Sequence, residues 1–308
     1  MTTAIYTEAQ LDQYFDHIGY PRRDHSHAEN SLEFLAELQK RNLAHVPFES
    51  VSLHYSRHRL LSLDPEDLFE KIVKNSRGGY CMEVNAFFGT VLRSLGFTLI
   101  SVGARVNGRT GYKGWDHMVN IVTIDGTSYL IDVAYGSNGP YHPIPLVPDI
   151  DFEGIYPARG RLEYKRLSQH TDPKQRAWVL STRQTEDADW KEEYAFVEIE
   201  FFPSDFEVMN LNTMTSPKSF FVQTVIATKI LLNKQTVIPE GLLILNKDYV
   251  KRRIKENSEI IERLETEDQR VKALKKYFFI ELKPEEKRAI HGMPSEIKSP
   301  GPGPSGLS

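Results

Sequence analysis

"RGGYCMEVNAFFGTVLRSLGF" (residues 77–97) divides the chain. Before it, apolar residues recur at the three- and four-residue spacing of helices; after it come β-rich runs bounded by turn residues. Within it, Gly78 and Gly79 break a preceding helix. A new helix can start around Cys81 and run to Gly96, a suitable C′ stop. Cys81 is the only cysteine of the chain. It sits where a helix N-terminus points its N–H groups and positive dipole end at the sulfur. A thiol attacks as thiolate; its ordinary pKa of roughly 8.5 falls to about 3.5–7.5 beside a helix N-terminus and an imidazolium. On this stretch alone, Cys81 is either such a nucleophile or a small buried hydrophobe, as free cysteines commonly are.

Working outward, "TEAQLDQYFDHI" and "SLEFLAELQKRNL" carry helical spacing. "SLDPEDLFEKIVK" has Asp64 as N-cap and Pro65 at the first helical position. On the other side, "FTLISVGARV" reads as a strand, as do "YAFVEIEFF" (194–202), "FFVQTVIATKILL" (220–232) and "GLLILN" (241–246). "SDFEVMNLN" predicts a short helix capped by Ser204, and Thr266 with Gln269 forms a capping box for "TEDQRVKALKKYFFI". Helices first, strands in the middle and a mixed end predict an α+β chain of about three small domains, not a parallel α/β fold.

Composition bounds the function. The chain has 308 residues, 40% hydrophobic and 26% charged, enough to bury a sizeable core. One cysteine excludes an intrachain disulfide and an all-cysteine metal site, and fits a reducing compartment. The N-terminus has no basic start followed by an apolar run, and no apolar stretch approaches the roughly 20 residues of a membrane span. A net charge of −4 argues against nucleic acid as partner. A cytoplasmic protein with no membrane association is expected.

The second chemical clue is "HMVNIVTI-DG-TSYLIDVAYG", a β-hairpin signal about Asp125-Gly126. With a two-residue loop, Ile124 faces Thr127 and Asp132 faces Val119. His117 is then the diagonal neighbour of Asp132 on one face. A four-residue loop keeps both on that face; a three-residue loop does not. A carboxylate there can accept the imidazole N–H, fix its tautomer and favour the imidazolium. Asp132 lies in an apolar run, where an unpaired carboxylate is costly. Cys81, His117 and Asp132 thus supply nucleophile, base and orienter.

These residues carry a resemblance. Arg77-Gly78-Gly79-Tyr80-Cys81 followed by Glu83-Val84-Asn85 resembles the signature of the arylamine N-acetyltransferases. "VPFESVSLHY" (46–55), His117 in "WDHMVNIV", Asp132 in "IDVAYG" and "DFEVMNLNTMTSPKSFF" (205–221) resemble further segments of that family, in the same order and at matching spacing. The resemblance implies a three-domain fold: a helical bundle (1–96), a β-barrel (97–203) and an α/β lid (204–292), around a cysteine-protease-like triad. The Pro/Gly/Ser-rich 293–308 is expected to be a disordered tail. It also implies ping-pong transfer of an acetyl or other short acyl group from acyl-coenzyme A, a co-substrate and not a bound cofactor, to an arylamine or arylhydrazine. By family position, Lys113 and Gly114, then Thr215, Ser216 and Lys218, are expected at the coenzyme, and Phe48 and Tyr135 at the acceptor. Ala134 stands where the family has glycine, and Ser50 where it has asparagine; the acyl donor is open between acetyl and larger or more acidic groups. A thiol hydrolase or transamidase using the same triad is the alternative. Oligomeric state is left open.

Other features carry less. Arg77 and Glu49 can pair beneath the nucleophile, as support or as a structural ion pair. "GARVNGRT" (103–110) misses the lysine of a P-loop. His25 and His27 form H-x-H with no completing ligands nearby, so no metal is expected.

Overall fold

The computed structural model describes residues 5–24 and 31–298; His25, His27 and the tail from 299 lie outside the described residues. The first part is helical. α1 (Glu8–His17) starts from a Thr7/Gln10 capping box, and α2 (Leu32–His45) from a Ser31 side chain that accepts from the Phe34 N–H. A two-residue strand, β1 (Phe48–Glu49), precedes the single turn α3 (Val51–His54). Asp64 caps α4 (Pro65–Phe69), which continues as one π turn over Glu70–Lys74. Then comes α5 (Cys81–Ser94), with residues buried on every face. A helix apolar all round belongs in the centre of a core. Leu11, Tyr14 and Phe15 of α1, Phe34 and Leu38 of α2, and Phe87, Phe88 and Val91 of α5 form one cluster.

The middle part is a nine-stranded antiparallel sheet. Its strands are β2 (Thr98–Gly108), β3 (Gly111–Tyr112), β4 (His117–Ile124), β5 (Thr127–Ile131), β6 (Ile144–Pro145), β7 (Ile150–Glu153), β8 (Arg159–Lys165), β9 (Ala177–Arg183) and β10 (Lys191–Glu200). The order is β6-β5-β4-β2-β10-β9-β8-β7, with β3 on β2. Ile144 from one end of that order and Phe152 from the other share a core with Val102, Val119, Leu130, Leu162, Leu180 and Phe196. The sheet therefore curls on itself into a nearly closed barrel. The β4–β5 hairpin turns at Asp125 (φ 48°) and Gly126 (φ 78°), with Ile124 opposite Thr127 as its two-residue loop requires. Met118, Val122 and Ile131 of this hairpin also pack into the helical core, so the hairpin joins the two parts.

The last part holds α6 (Pro203–Thr215), α7 (Phe220–Gln223), β11 (Ile226–Leu232), β12 (Pro239–Asn246), β13 (Tyr249–Ile254), β14 (Asn257–Arg263), α8 (Glu267–Phe278) and α9 (Pro284–Ala289). Its sheet runs β1-β11-β12-β13-β14, so Phe48 and Glu49 of the first part form one edge, opposite Thr228 and Ala227. Ala273, Leu274 and Phe278 of α8 pack on this sheet through Leu245 and Val250, while Phe206 and Met209 of α6 pack on the helical bundle.

Three expectations are corrected here. Ser204 is not a cap: the helix starts at Pro203, which needs no N–H partner, and the Asp205 carboxylate accepts from the Phe202 N–H at 2.8 Å. "FFVQTVIATKILL" is not one strand. Ser219 C=O accepts from the N–H groups of Val222 and Gln223, which closes a helical turn before β11 begins at Ile226. The first residues of the expected tail are packed, as far as Ile297. Met293 is buried beside Leu274 and Phe278, and fully buried Arg270 donates to Ser295 C=O at 2.9 Å.

Candidate active site

The turn before Cys81 is held by two carboxylates. Glu49 accepts from the Gly78 N–H (3.2 Å), and Glu83 accepts from the Tyr80 N–H (3.2 Å) and the Lys71 ammonium (2.6 Å). A Cβ on Gly78 would lie 1.7 Å from Pro47 C=O, so only glycine lets the turn run flush along Pro47–Glu49. Arg77 approaches Glu49 at 3.7 Å and also binds Glu286 and Ser52, both at 3.2 Å. Cys81 comes out of this turn as the first residue of α5. It is 3% exposed, and its thiol donates to Asp116 C=O at 3.7 Å.

His117 is the first residue of β4 and Asp132 follows β5, so the hairpin brings them together: Nε2 to Oδ2 is 2.7 Å. The second Asp132 oxygen accepts from Asn85 Nδ2 (3.0 Å) and the Ala134 N–H (2.9 Å). Asn85 Oδ1 accepts from the Val133 N–H at 3.0 Å, and its Nδ2 also donates to Met118 C=O at 2.7 Å. Gln39 donates to the Asp132 C=O at 3.3 Å. Residues i and i+4 share a helix face, so α5 presents the Cys81 thiol and the Asn85 clamp side by side.

Burial opposes charge on both members of the pair, but their attraction outweighs it. The His117 pKa is pushed up to about 10 by Asp132 and by Cys81, which also hydrogen-bonds the ring. Asp132 is held below the usual carboxylate range by His117, Asn85 and the Ala134 N–H. With Nε2 occupied by Asp132, Nδ1 is the nitrogen left for the thiol.

The surrounding walls are aromatic. The Tyr135 and Tyr194 rings lie 5.1 Å and 4.9 Å from the imidazole. Phe221 of α7 contacts Phe48 and Tyr80 at 5.7 Å and 5.2 Å, and Phe48 stands over Gly136. Lys113 and Gly114 are exposed on the loop that ends at Asp116; the Lys113 ammonium is 3.8 Å from the Asp116 carboxylate. Thr215 ends α6, and Ser216 and Lys218 lead from it to α7, with Lys218 exposed and its N–H at 3.4 Å from Ser216 Oγ. Reading the sequence missed the positions of Gln39, Tyr194 and Glu193, and gave Asn85 no role. Only Asn85 left a signal there, a polar amide four residues after the thiol in an apolar helix. Among the described residues no group of three or more His, Cys, Asp or Glu is placed to hold a metal, and no helix is long and apolar enough to cross a membrane.

Fold and site define an α+β class in which a helix-borne thiol meets a barrel-borne imidazole and carboxylate. The chain belongs to the arylamine N-acetyltransferase family, and is an N-acyltransferase of that family: the N-acetyltransferase family model matches residues 31–287. An N-malonyltransferase FDB2 from Fusarium pseudograminearum is 36% identical, over 94% of this chain and 93% of that protein. Arylamine N-acetyltransferase 1 of Homo sapiens is 28% identical, over 88% and 94%. Among solved structures, the arylamine N-acetyltransferase of Mycobacterium abscessus superposes with a TM-score of 0.78 at 25% identity, covering 91% of this chain and 93% of that one. That of Mycobacterium marinum in complex with CoA gives 0.74 at 24% identity, over 91% and 98%. The fold is the three-part fold of this family.

Proposed function

We propose that the chain transfers a short acyl group from acyl-coenzyme A to an aromatic amine or hydrazine through an acyl-cysteine at Cys81. The observation that carries this is the line Cys81–His117–Asp132, with Asp132 clamped by Asn85. His117 Nδ1 takes the thiol proton, and the sulfur attacks the thioester carbonyl. The carbon–sulfur bond to coenzyme A breaks, and coenzyme A leaves as a thiol with the proton held by His117. The amine then attacks the acyl-cysteine, its proton passes to His117, and the Cys81 thiol is regenerated with that proton. Asp132 keeps the ring oriented through both halves and stabilises the imidazolium each time His117 holds the proton.

Malonyl ranks ahead of acetyl as the acyl group. Relatives named N-malonyltransferase are 34–36% identical to this chain, and those named arylamine N-acetyltransferase 28–29%. Lys113, Lys218, Thr215, Ser216 and the open backbone at Gly114 are proposed to meet the anionic coenzyme, and Phe48 and Tyr135 the aromatic acceptor. A lone thiol that must stay reduced fits the cytosol. The test incubates the protein with malonyl- or acetyl-coenzyme A, with and without an arylamine, and follows coenzyme A release and N-acyl product. The expected result is amine-dependent turnover, faster with malonyl. Turnover indifferent to amine, with no N-acyl product, would replace this reading by the thiol hydrolase.

A further inference from the structure

Glu193 is 3% exposed and lies on β10, beside Tyr135 of the proposed acceptor wall. Several donors converge on it. Asn138 Nδ2 and Thr182 Oγ1 each donate to one carboxylate oxygen at 2.8 Å. The Lys191 ammonium reaches both oxygens, at 3.2 and 3.1 Å. The Tyr135 hydroxyl donates to the Glu193 C=O at 2.9 Å and reaches its carboxylate at 3.3 Å. Two of these donors, Tyr135 and Asn138, belong to the turn that leaves Asp132. That turn includes Gly136, lies under Phe48, and bears no regular structure of its own. The other two, Thr182 and Lys191, belong to strands of the barrel.

We infer that Glu193 is a positioning residue: it ties the Tyr135–Asn138 turn to the barrel and so sets where the Tyr135 ring stands between His117 and the acceptor. Two facts support a role beyond folding. A buried carboxylate with this many donors is a fixed post, since moving it strands each of them. The Tyr135 hydroxyl is also turned away toward β10, so the ring is the surface left to contact His117, 5.1 Å away, and an incoming aromatic amine. The amine meets Tyr135 only in the second half of the reaction. Loss of the tie is therefore read in the acceptor step, while the donor half proceeds.

The inference rests on the acyl-transfer reading, and one experiment separates them. Glu193→Ala, Glu193→Gln and Tyr135→Phe are purified beside the parent. The burst of coenzyme A release without amine reports Cys81 acylation; steady-state turnover against arylamine concentration reports acceptor KM. The expected result is an acceptor KM raised about twofold to a hundredfold in Glu193→Ala, the range of coupling between contacting residues, with the burst retained. Glu193→Gln, which keeps the shape and one acceptor oxygen, returns the KM toward the parent's. A folded Glu193→Ala with parental KM overturns the inference. Should Glu193→Ala fail to fold, Tyr135→Phe decides: a raised KM supports the tie and a parental KM overturns it. No burst in the parent itself fails the acyl-transfer reading instead.

Discussion

Chemistry at one residue here depends on partners carried by two elements. Cys81 comes from a helix start, His117 and Asp132 from a hairpin, and Asn85 from one turn further along the thiol's own helix. Cys81→Ala is expected to keep the fold, because the change is small and Glu49 and Glu83 hold the turn, while no acyl adduct forms. Intact-mass measurement after incubation with the acyl donor checks this, and an adduct on the variant would remove Cys81 from the mechanism. Asp132→Asn leaves a neutral amide that favours the wrong imidazole tautomer; turnover should fall on the order of 10³–10⁴-fold. The pair also carries a pH signature. His117 has a folded pKa (about 10) above the ordinary imidazole value of about 6.5. Its contribution to stability is therefore complete below about 6.5 and is lost as pH climbs through 10. Asp132 is shifted down, so its contribution is present above the ordinary carboxyl value of about 3.9 and is lost as pH falls below it. The Tm difference between the parent and Asp132→Asn should be widest between about pH 4 and 6.5 and narrow toward alkaline pH. A difference flat with pH would show that no charged pair forms.

At the scale of elements, the sequence was most legible where chemistry is local. The Asp125-Gly126 turn set the hairpin register, and with it the face shared by His117 and Asp132. Asp64, Thr266 with Gln269, and Gly96 marked helix ends that the structure has. It was least legible where the answer depends on distant chain. The run 220–232 is apolar and β-branched in its second half, which hides a helical turn that closes on Ser219 and packs Phe221 on Tyr80. Gln39, Glu193 and Tyr194 look like ordinary residues of amphipathic elements; only the fold brings them to the hairpin. The Gly78 turn supplies a test of the local kind. In Gly78→Ala the new methyl meets Pro47 C=O, a backbone atom that cannot swing aside, and the turn must lift away from β1. Overpacking of this sort costs about 1–3 kcal/mol or more. Because β1 carries Phe48 and Glu49, the variant should lose both Tm and the rate of acylation per folded molecule. An alanine variant with parental Tm and acylation rate would mean that the turn does not set the thiol.

Across the whole molecule, the parts are stitched by segments that cross between them: β1 joins the bundle to the lid sheet, α6 returns to the bundle, and residues 293–298 return to α3 and α8. The last of these reaches the site. Ser295 Oγ is 2.7 Å from His54 Nδ1, and His54 Nε2 is 2.8 Å from the Phe221 C=O. A carbonyl can only accept, so Nε2 carries the proton and Nδ1 accepts from the Ser295 hydroxyl. Burial lowers the His54 pKa to about 4, which keeps the ring neutral near pH 7. The carboxy-terminal segment thus braces the backbone of Phe221, whose ring walls Phe48 and Tyr80. A chain ending at Gly292 can be compared with one ending at Lys298. Loss of Met293 from the core and of the Ser295 bonds should cost about 2–5 kcal/mol, lowering Tm by at least about 3 °C. The shorter chain should also show a higher acceptor KM, because α7 has lost its brace. The His54 brace has its own sign: a folded pKa below the unfolded one means that protons favour the unfolded chain, so stability declines as pH falls from about 6.5 toward 4. His54→Gln keeps a donor for Phe221 and has no proton to gain, so it should flatten that acid limb while leaving Cys81 acylation in place. If the two chain lengths share one acceptor KM, the segment stabilises the fold and does not reach the pocket.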